Sequence, residues 1–207
     1  MGNIYLQIGA GAGDLDARAL YRDGFTEIVK KVVQPDDRVI LVEPNPLNIA
    51  VLKRSWNSFK QAEIYEVGIV PKSVSGSDLS FYFSELDAPH YQVGSFDSQH
   101  VLKHYPQLKH NDLKCLMVET IDLLGFLSSI VGGRKIELLS LDIEGLDAEV
   151  ILDTDFSAIQ ARLLSVEHLH LGVQADEVIS HLEKGGFVRR GLGVDHNGYD
   201  WLFEKLV

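Results

Sequence analysis

Short apolar runs alternate along the chain with longer segments in which apolar residues recur every three or four positions. Nearly continuous apolar runs are typical of parallel strands buried on both faces, and the longer recurrence is typical of amphipathic helices. We predict strands at residues 4–8, 38–42, 64–70, 79–83, 136–141, 163–166, 187–190 and 201–206. The predicted helices cover residues 16–33, 46–59, 120–131, 146–152 and 176–184.

Proline and glycine residues mark several ends of these elements. Pro46 suits a first helical turn, Gly24 weakens the first helix, and Gly185-Gly186 ends the last one. Asn197-Gly198 is a strong turn signal between the last two strands. Strand–helix alternation that closes with such a hairpin predicts an α/β fold, with a mostly parallel sheet and one antiparallel edge.

The segment 84–112 is polar and lacks a clear period, so we predict a long surface excursion there. Segments of this length are often functional lids, so this one is either a lid that closes over a cofactor or an acceptor, or a solvated surface loop. It contains His90, His100, His104 and His110, and we find no spacing typical of a metal site in His90, His104 and His110. No linker or repeat divides the chain, so we predict a single domain over residues 1–207.

Composition narrows the classes of partner. With 19 basic and 30 acidic residues, the net charge is −11, and we therefore expect no nucleic-acid partner. The single cysteine, Cys115, excludes an intramolecular disulfide and suits a reducing compartment.

We find no apolar run of membrane-spanning length and no signal-type N-terminus, and so predict a cytoplasmic protein without a membrane partner. Since the first predicted strand begins at residue 4, we expect no substrate-binding segment ahead of it.

The chemistry begins with a glycine loop after the first predicted strand, in the run Gln7-Ile8-Gly9-Ala10-Gly11-Ala12-Gly13. Such a loop lets backbone N–H groups approach a ligand, and the following helix directs its positive end there. Glu43, at the tip of the second predicted strand, can accept hydrogen bonds from a ribose diol. Together these features predict a site for a nucleoside-type cofactor.

The spacing favours a methyl donor over a dinucleotide. A dinucleotide fingerprint has the spacing G-x-G-x-x-G and an acid about twenty residues later. Here the spacing is G-x-G-x-G, Glu43 lies thirty residues after Gly13, and Pro44 follows it directly. We therefore place S-adenosylmethionine ahead of NAD.

A second acidic segment, Leu141-Asp142-Ile143-Glu144-Gly145, follows the predicted strand at 136–141. With Val42-Glu43-Pro44-Asn45-Pro46 and the glycine loop, it resembles the FkbM family of S-adenosylmethionine-dependent methyltransferases. That family shows a DxGAxxG loop, an EPNP segment and a DxEG segment in this order. The resemblance implies a class I methyltransferase (Rossmann-like) fold, with a seven-stranded sheet and helices on both faces. It also implies methyl transfer to a hydroxyl, often on a sugar or glycosylated metabolite.

The chain departs from the family pattern at Gln7, where an acid is usual, and at Gly11, where another small or polar residue is common. The usual acid helps to hold the methionine amine, so Gln7 would offer a neutral oxygen, for which Asp14 and Asp16 could compensate. The predicted cofactor-binding residues are Gln7, Gly9, Ala10, Gly11, Gly13, Glu43, Pro44, Asn45, Gly68, Ile69 and Asp142.

Methyl transfer to a hydroxyl needs positioning and a base, or a cation that acidifies the hydroxyl. Ligands of this fold bind at the carboxyl ends of the strands, so we nominate the residues at those tips. The predicted catalytic residues are His168 as general base, Asp142 and Glu144. The predicted acceptor-binding residues are Ser95, Glu144, Glu167 and His170. Asp142, Glu167 and His168 have the ligand types for a divalent metal, which we do not expect to be required.

The leading hypothesis is an S-adenosylmethionine-dependent O-methyltransferase that acts on a small-molecule or glycan acceptor. A nicotinamide-dependent oxidoreductase is the alternative enzyme, but it would need a dinucleotide spacing and a catalytic Tyr-x-x-x-Lys that we do not find. A non-catalytic nucleoside-binding module is the third hypothesis. The glycines, Glu43 and Asp142 weigh against that module, and Gln7 weighs mildly for it.

Overall fold

The computed structural model of the protein describes residues 2–13, 23–88 and 91–206. The strands in these ranges are β1 (Ile4–Ile8), β2 (Arg38–Val42), β3 (Ala62–Tyr65), β4 (Gly68–Ile69), β5 (Asp78–Phe83), β6 (Lys114–Ile121), β7 (Ile136–Leu141), β8 (Ala161–Glu167), β9 (Phe187–Leu192) and β10 (Asp200–Lys205). The α-helices are α1 (Gly24–Val32), α2 (Pro46–Ser55), α3 (Ser98–His104), α4 (Leu123–Ile130), α5 (Asp147–Asp153) and α6 (Ala175–Lys184).

Seven strands form the main sheet in the order β3-β2-β1-β7-β8-β10-β9. The first five strands in this order, β3-β2-β1-β7-β8, are parallel to one another, whereas β10 runs antiparallel to both β8 and β9. This is the predicted mostly parallel seven-stranded sheet with a C-terminal antiparallel hairpin, and the prediction is confirmed. The order reverses between β1 and β7, and in an open sheet of this kind that point opens a crevice at the carboxyl ends of the strands.

The apolar runs are continuous because both faces of the sheet are covered. In β1, Ile4, Leu6 and Ile8 join the larger core, which also contains buried side chains of α4, α5 and α6. Tyr5, between them, faces the opposite core, where it packs with Phe25 of α1 and residues of α2. Since alternate side chains point to opposite faces, a strand covered on both sides is apolar at nearly every position, and Gln7 is the one polar residue of β1.

Three stretches of the chain differ most from the prediction. Helix α1 is described from Gly24, which begins it after the N-cap Asp23 instead of weakening its interior; residues 14–22 lie outside the described part of the chain. The predicted strand 64–70 is divided into β3 and β4. The second of these joins β6 and β5 in a small separate sheet. Residues of β6 near Thr120, predicted as helical, are strand, and α4 begins only after its N-cap Asp122.

The excursion at 84–112 is more regular than predicted, because it contains α3, capped by Asp97. It is fastened to the body by Phe96, whose ring lies where a Cβ on Gly68 would stand: the hypothetical Cβ would be 2.3 Å from the ring. Phe96 also packs edge-on against Phe81, with ring centroids 5.1 Å apart. The segment therefore lies over the crevice at the strand ends.

Across the three described ranges, every α-helix is too short or too polar for a membrane span.

Candidate active site

A cleft of about 310 Å³ opens at the carboxyl ends of β1, β2, β7 and β8, a volume at the lower end of the range for small-molecule sites. Most of the predicted site residues line it: Gln7, Gly9, Ala10, Gly11, Gly13, Glu43, Pro44, Ile69, Asp142, Glu144, Glu167 and His170. Phe81, Tyr91 and Phe96 add aromatic surface to the wall on the side of the excursion. The topology thus brings residues more than 150 positions apart into one cavity.

The glycine loop packs tightly against the ends of β2 and β7. The N–H groups of Gly9 and Ala10 both donate to the carbonyl of Val42, at 2.9 Å each. Gly9 has a φ of +79°, and a Cβ there would stand 1.7 Å from the carbonyl oxygen of Asp142. Only glycine fits this position, because it tolerates both the left-handed backbone and the close approach.

Glu43 is held inside the cleft at the tip of β2, with only 4% of its surface exposed. One carboxylate oxygen accepts from the Gly11 N–H at 2.7 Å. The other accepts from the Asn45 N–H at 2.8 Å and from Asn48 Nδ2 at 3.3 Å. Burial raises the pKa of Glu43 to about 7, although these hydrogen bonds oppose the rise.

Gln7 has an acidic neighbour that the sequence reasoning missed. Its Nε2 donates to Asp23 Oδ1 at 3.0 Å, while its Oε1 finds no donor among the described residues. Burial raises the pKa of Asp23, the N-cap of α1, which also lines the cleft. The acid that accompanies Gln7 here is therefore Asp23, whereas Asp14 and Asp16 lie outside the described residues.

Asn45, Gly68 and Ser95 do not line the cleft but support residues that do. Asn45 caps α2 through Oδ1 and holds Glu43 through its N–H. Gly68 makes room for Phe96. Ser95 is 1% exposed, and its hydroxyl donates to the carbonyl of Glu144 at 2.7 Å, so it acts on Glu144 and not directly on an acceptor.

His168 lies apart from the cleft, contrary to the role predicted for it. Its ring stacks on Trp201, with centroids 4.6 Å apart, and its Nε2 lies 3.1 Å from the carbonyl of Gly198. Strand alternation is the reason: Glu167, one residue earlier, points into the cleft, and His168 therefore points away. The predicted ligand set of Asp142, Glu167 and His168 does not converge for the same reason.

The cleft concentrates buried carboxyl groups at the ends of β7 and β8. Burial and the nearby charge of Glu144 raise the pKa of Asp142 well above its usual range. Burial, followed by the charge of Asp142, raises the pKa of Glu167 to about 11. Burial and the charge of Asp147 raise the pKa of Glu144 to about 8. Asp142 Oδ1 and Glu167 Oε2 have no hydrogen-bond partner within the described ranges.

Three histidines and one of these acids meet at the cleft wall. His100 and His104 come from α3, Glu144 follows β7, and His170 follows β8; one donor atom from each lies within 4.8 Å of the others. His100 Nε2 and Glu144 Oε2 are 3.0 Å apart. This cluster was not predicted from the sequence. Residues four apart, such as His100 and His104, share a face only on a helix, and no helix was predicted in the excursion.

The sheet order, the glycine loop after β1 and the acid after β2 define the class I methyltransferase architecture. The sequence matches the pattern of the methyltransferase FkbM domain over residues 7–189. The chain therefore belongs to the FkbM methyltransferase family, as the resemblance predicted. No curated protein matches the chain.

Several solved structures resemble the chain at low identity. The fibrillarin pre-rRNA processing protein of Methanococcus jannaschii is 13% identical over 99% of this chain and 66% of its own, with a TM-score of 0.48. Aeropyrum pernix fibrillarin in complex with S-adenosyl-L-methionine is 11% identical over 98% and 65%, with a TM-score of 0.44. Precorrin-6y C5,15-methyltransferase from Geobacter metallireducens is 13% identical over 99% and 81%, with a TM-score of 0.46. The chain spans slightly less than two thirds of the length of the two fibrillarins.

Proposed function

We propose that the protein is an S-adenosylmethionine-dependent O-methyltransferase that acts on a hydroxyl of a sugar or glycan. The observation that carries the proposal is the cleft itself. The glycine loop and Glu43 line one side of the cleft. The other side is lined by Asp142 and Glu167, each of which has a carboxyl oxygen that accepts no hydrogen bond from any described residue. Membership of the FkbM family supports methyl transfer as the reaction.

The residues present fit the cofactor. Glu43 lies where a carboxylate would accept hydrogen bonds from the two ribose hydroxyls. Gln7 Oε1 and Asp142 Oδ1 are buried acceptors to which no described residue donates, so each can accept from a ligand. The surrounding acids favour a cation, and S-adenosylmethionine carries a positive ammonium and a positive sulfonium whose methyl group it supplies.

The opposite wall suits a hydroxylated, ring-shaped acceptor. Tyr91, Phe96 and Phe81 present aromatic surface on which an apolar sugar face could pack. Glu144 and Glu167 can hydrogen-bond to its hydroxyls. We assign Asp142, not His168, as the group that orients the reacting hydroxyl and receives its proton, because Asp142 faces the cleft at the tip of β7. The positive charge of the bound cofactor would lower the raised pKa of Asp142 and so favour the ionised form that accepts the proton.

Binding measurements separate this proposal from its alternatives. We expect calorimetry to show binding of S-adenosylmethionine and S-adenosylhomocysteine, and none of NADH. NADH binding alone would favour the oxidoreductase. Cofactor binding with no S-adenosylhomocysteine released across a broad panel of sugars and glycans would favour a non-catalytic module.

Two variants test the assignment of the reacting group once an acceptor is found. Asp142→Asn should lower turnover roughly 10²–10⁴-fold, the range for losing a general base, while S-adenosylhomocysteine still binds. His168→Gln should keep turnover within about threefold, since its ring lies on Trp201 outside the cleft. The reverse pattern would return the role of base to His168.

A further inference from the structure

Four side chains with metal-binding atoms converge on the excursion side of the cleft. His100 and His104, four residues apart on α3, project from the same helix face. Glu144 and His170 come from the ends of two adjacent parallel strands. The donor atoms of all four lie within 4.8 Å of one another, although the residues span 70 positions of the sequence.

The surrounding structure shapes this cluster around His100 and Glu144. Gly145 has a φ of +92°, and a Cβ there would be 2.3 Å from His100 Nδ1, so its absence makes room for the imidazole. Glu144 itself adopts a left-handed φ of +50°, which is costly for a residue with a side chain. The Ser95 hydroxyl fixes the carbonyl of Glu144 at 2.7 Å. A strained backbone held in this way is typical of functional sites.

The three imidazoles are suited to bind as neutral ligands. Their ring centroids are 4.6–5.3 Å apart, so protonating all three would place like charges in contact. This crowding favours neutral rings, each with a ring nitrogen whose lone pair can bind a metal ion.

We propose that His100, His104, His170 and Glu144 bind one divalent first-row transition ion of the Zn²⁺ type. Three imidazoles and one carboxylate suit such an ion, whereas Mg²⁺ prefers a set of oxygen ligands. At metal–ligand distances of roughly 2.0–2.2 Å, donor atoms in a tetrahedral site lie roughly 3.4 Å apart. His100 and Glu144 already approach more closely than this, and the other separations, which are up to 4.8 Å, would have to shorten when the ion binds.

The ion would also bear on the reaction, a consequence that rests on the proposed function. His104, Glu144 and His170 line the same cleft as Asp142 and Glu167, so a bound ion would face the acceptor. Coordination of the acceptor hydroxyl lowers its pKa. Its proton would then pass to a cleft carboxylate, and the electron pair left on oxygen would form the new bond to the methyl carbon. The methyl–sulfur bond would break at the same time, its electron pair staying on sulfur, so that S-adenosylhomocysteine leaves.

Metal binding to the full chain without a histidine tag tests the site directly. After chelator treatment, we expect one equivalent of Co²⁺ to bind, with the visible absorption of a four- or five-coordinate ion, and Zn²⁺ to displace it. His104→Gln and His170→Gln should each weaken binding roughly 100-fold or more. His110→Gln is the matched control, because His110 lies in the same excursion but outside the cluster, and it should bind Co²⁺ like the wild type.

Absence of Co²⁺ binding would overturn the site, as would equal binding by wild type and His170→Gln. Tighter binding of Mg²⁺ than of Co²⁺ would also overturn it. Titration of the same metal-free protein with S-adenosylhomocysteine keeps the two proposals apart. Cofactor binding without metal binding refutes the metal site alone, and metal binding without cofactor binding refutes the proposed function alone.

Discussion

At the residue scale, Glu43 shows how opposing effects set the state of one side chain. Three hydrogen bonds from Gly11, Asn45 and Asn48 stabilise its charge, and burial destabilises it. Burial is the larger effect, since the pKa rises to about 7. At neutral pH the carboxyl group is therefore only partly ionised. A bound ligand that donates hydrogen bonds to it or carries a positive charge would favour its ionised form.

The raised pKa of Glu43 predicts a pH dependence of the free energy of unfolding, which Glu43→Gln should remove. The pKa of Glu43 in the folded protein lies above its ordinary value of 4.5, so the folded state keeps a proton that the unfolded chain releases. The resulting stabilisation is complete below pH 4.5 and is lost as the pH rises through 7. Urea unfolding should show wild type losing about 2–3 kcal/mol relative to Glu43→Gln between pH 5 and 7.5, because folding raises the pKa of Glu43 from 4.5 to about 7.

Comparing the two proteins at each pH cancels the titration of the buried histidines, which affects both alike. If the difference between wild type and Glu43→Gln stays constant over this range, the pKa of Glu43 is not raised. In the same proteins, Glu43→Gln should weaken S-adenosylhomocysteine by about 1–3 kcal/mol, through lost charged hydrogen bonds.

At the element scale, the buried strands could be predicted and the half-exposed ones could not. The limits of β1, β2 and β7 agree with their apolar runs, because burial on both faces makes most of their positions hydrophobic. β6 pairs with β5 and β4 but keeps Lys114, Cys115 and Met117 exposed. Its hydrophobic pattern is accordingly too weak to distinguish it from the helix that follows.

Because Gly68 of β4 contacts Phe96 of the excursion, substitutions at these two positions should have strongly non-additive effects on stability. Gly68→Ala should destabilise the protein by about 1–3 kcal/mol, because the new methyl group collides with the ring. In a Phe96→Ala background the same change should cost at least about 1 kcal/mol less, since the ring is gone. Equilibrium unfolding of wild type, both single variants and the double variant measures this.

Additive effects in that cycle would mean that Phe96 does not occupy the space beside Gly68. Gly76→Ala is a useful contrast, because a Cβ there meets open space and its cost arises only from the φ of +80°. That cost should be the same with Phe96 or Ala at position 96.

At the scale of the whole molecule, the net charge weighs against a nucleic-acid acceptor. The net charge is −11, and the cleft is lined by acids whose burial raises their pKa values. The net charge repels a polyanion from the protein as a whole, whereas a neutral sugar is not repelled, and a cationic cofactor would favour the ionised form of the cleft acids. A neutral hydroxylated acceptor is therefore consistent with both the proposed reaction and the overall charge.

We accordingly predict no saturable RNA binding. In fluorescence anisotropy at physiological salt, labelled single-stranded and duplex RNA should show no binding up to about 100 μM protein, the weak end of non-specific affinities. A basic RNA-binding protein of similar size serves as the positive control. Micromolar RNA binding that weakens steeply with salt would contradict the prediction and make an RNA hydroxyl a candidate acceptor.

The amino-acid sequence by itself determined the buried strands, the glycine loop and Glu43, because these depend on local pattern and on short-range backbone geometry. Only the tertiary structure decided which side chains share the cleft. Asp23 beside Gln7, Glu167 facing inward with His168 facing out, and the three histidines around Glu144 all depend on strand orientation and on how the excursion packs. Those contacts join residues distant in sequence, and hydrophobic periodicity carries no information about which of them will meet.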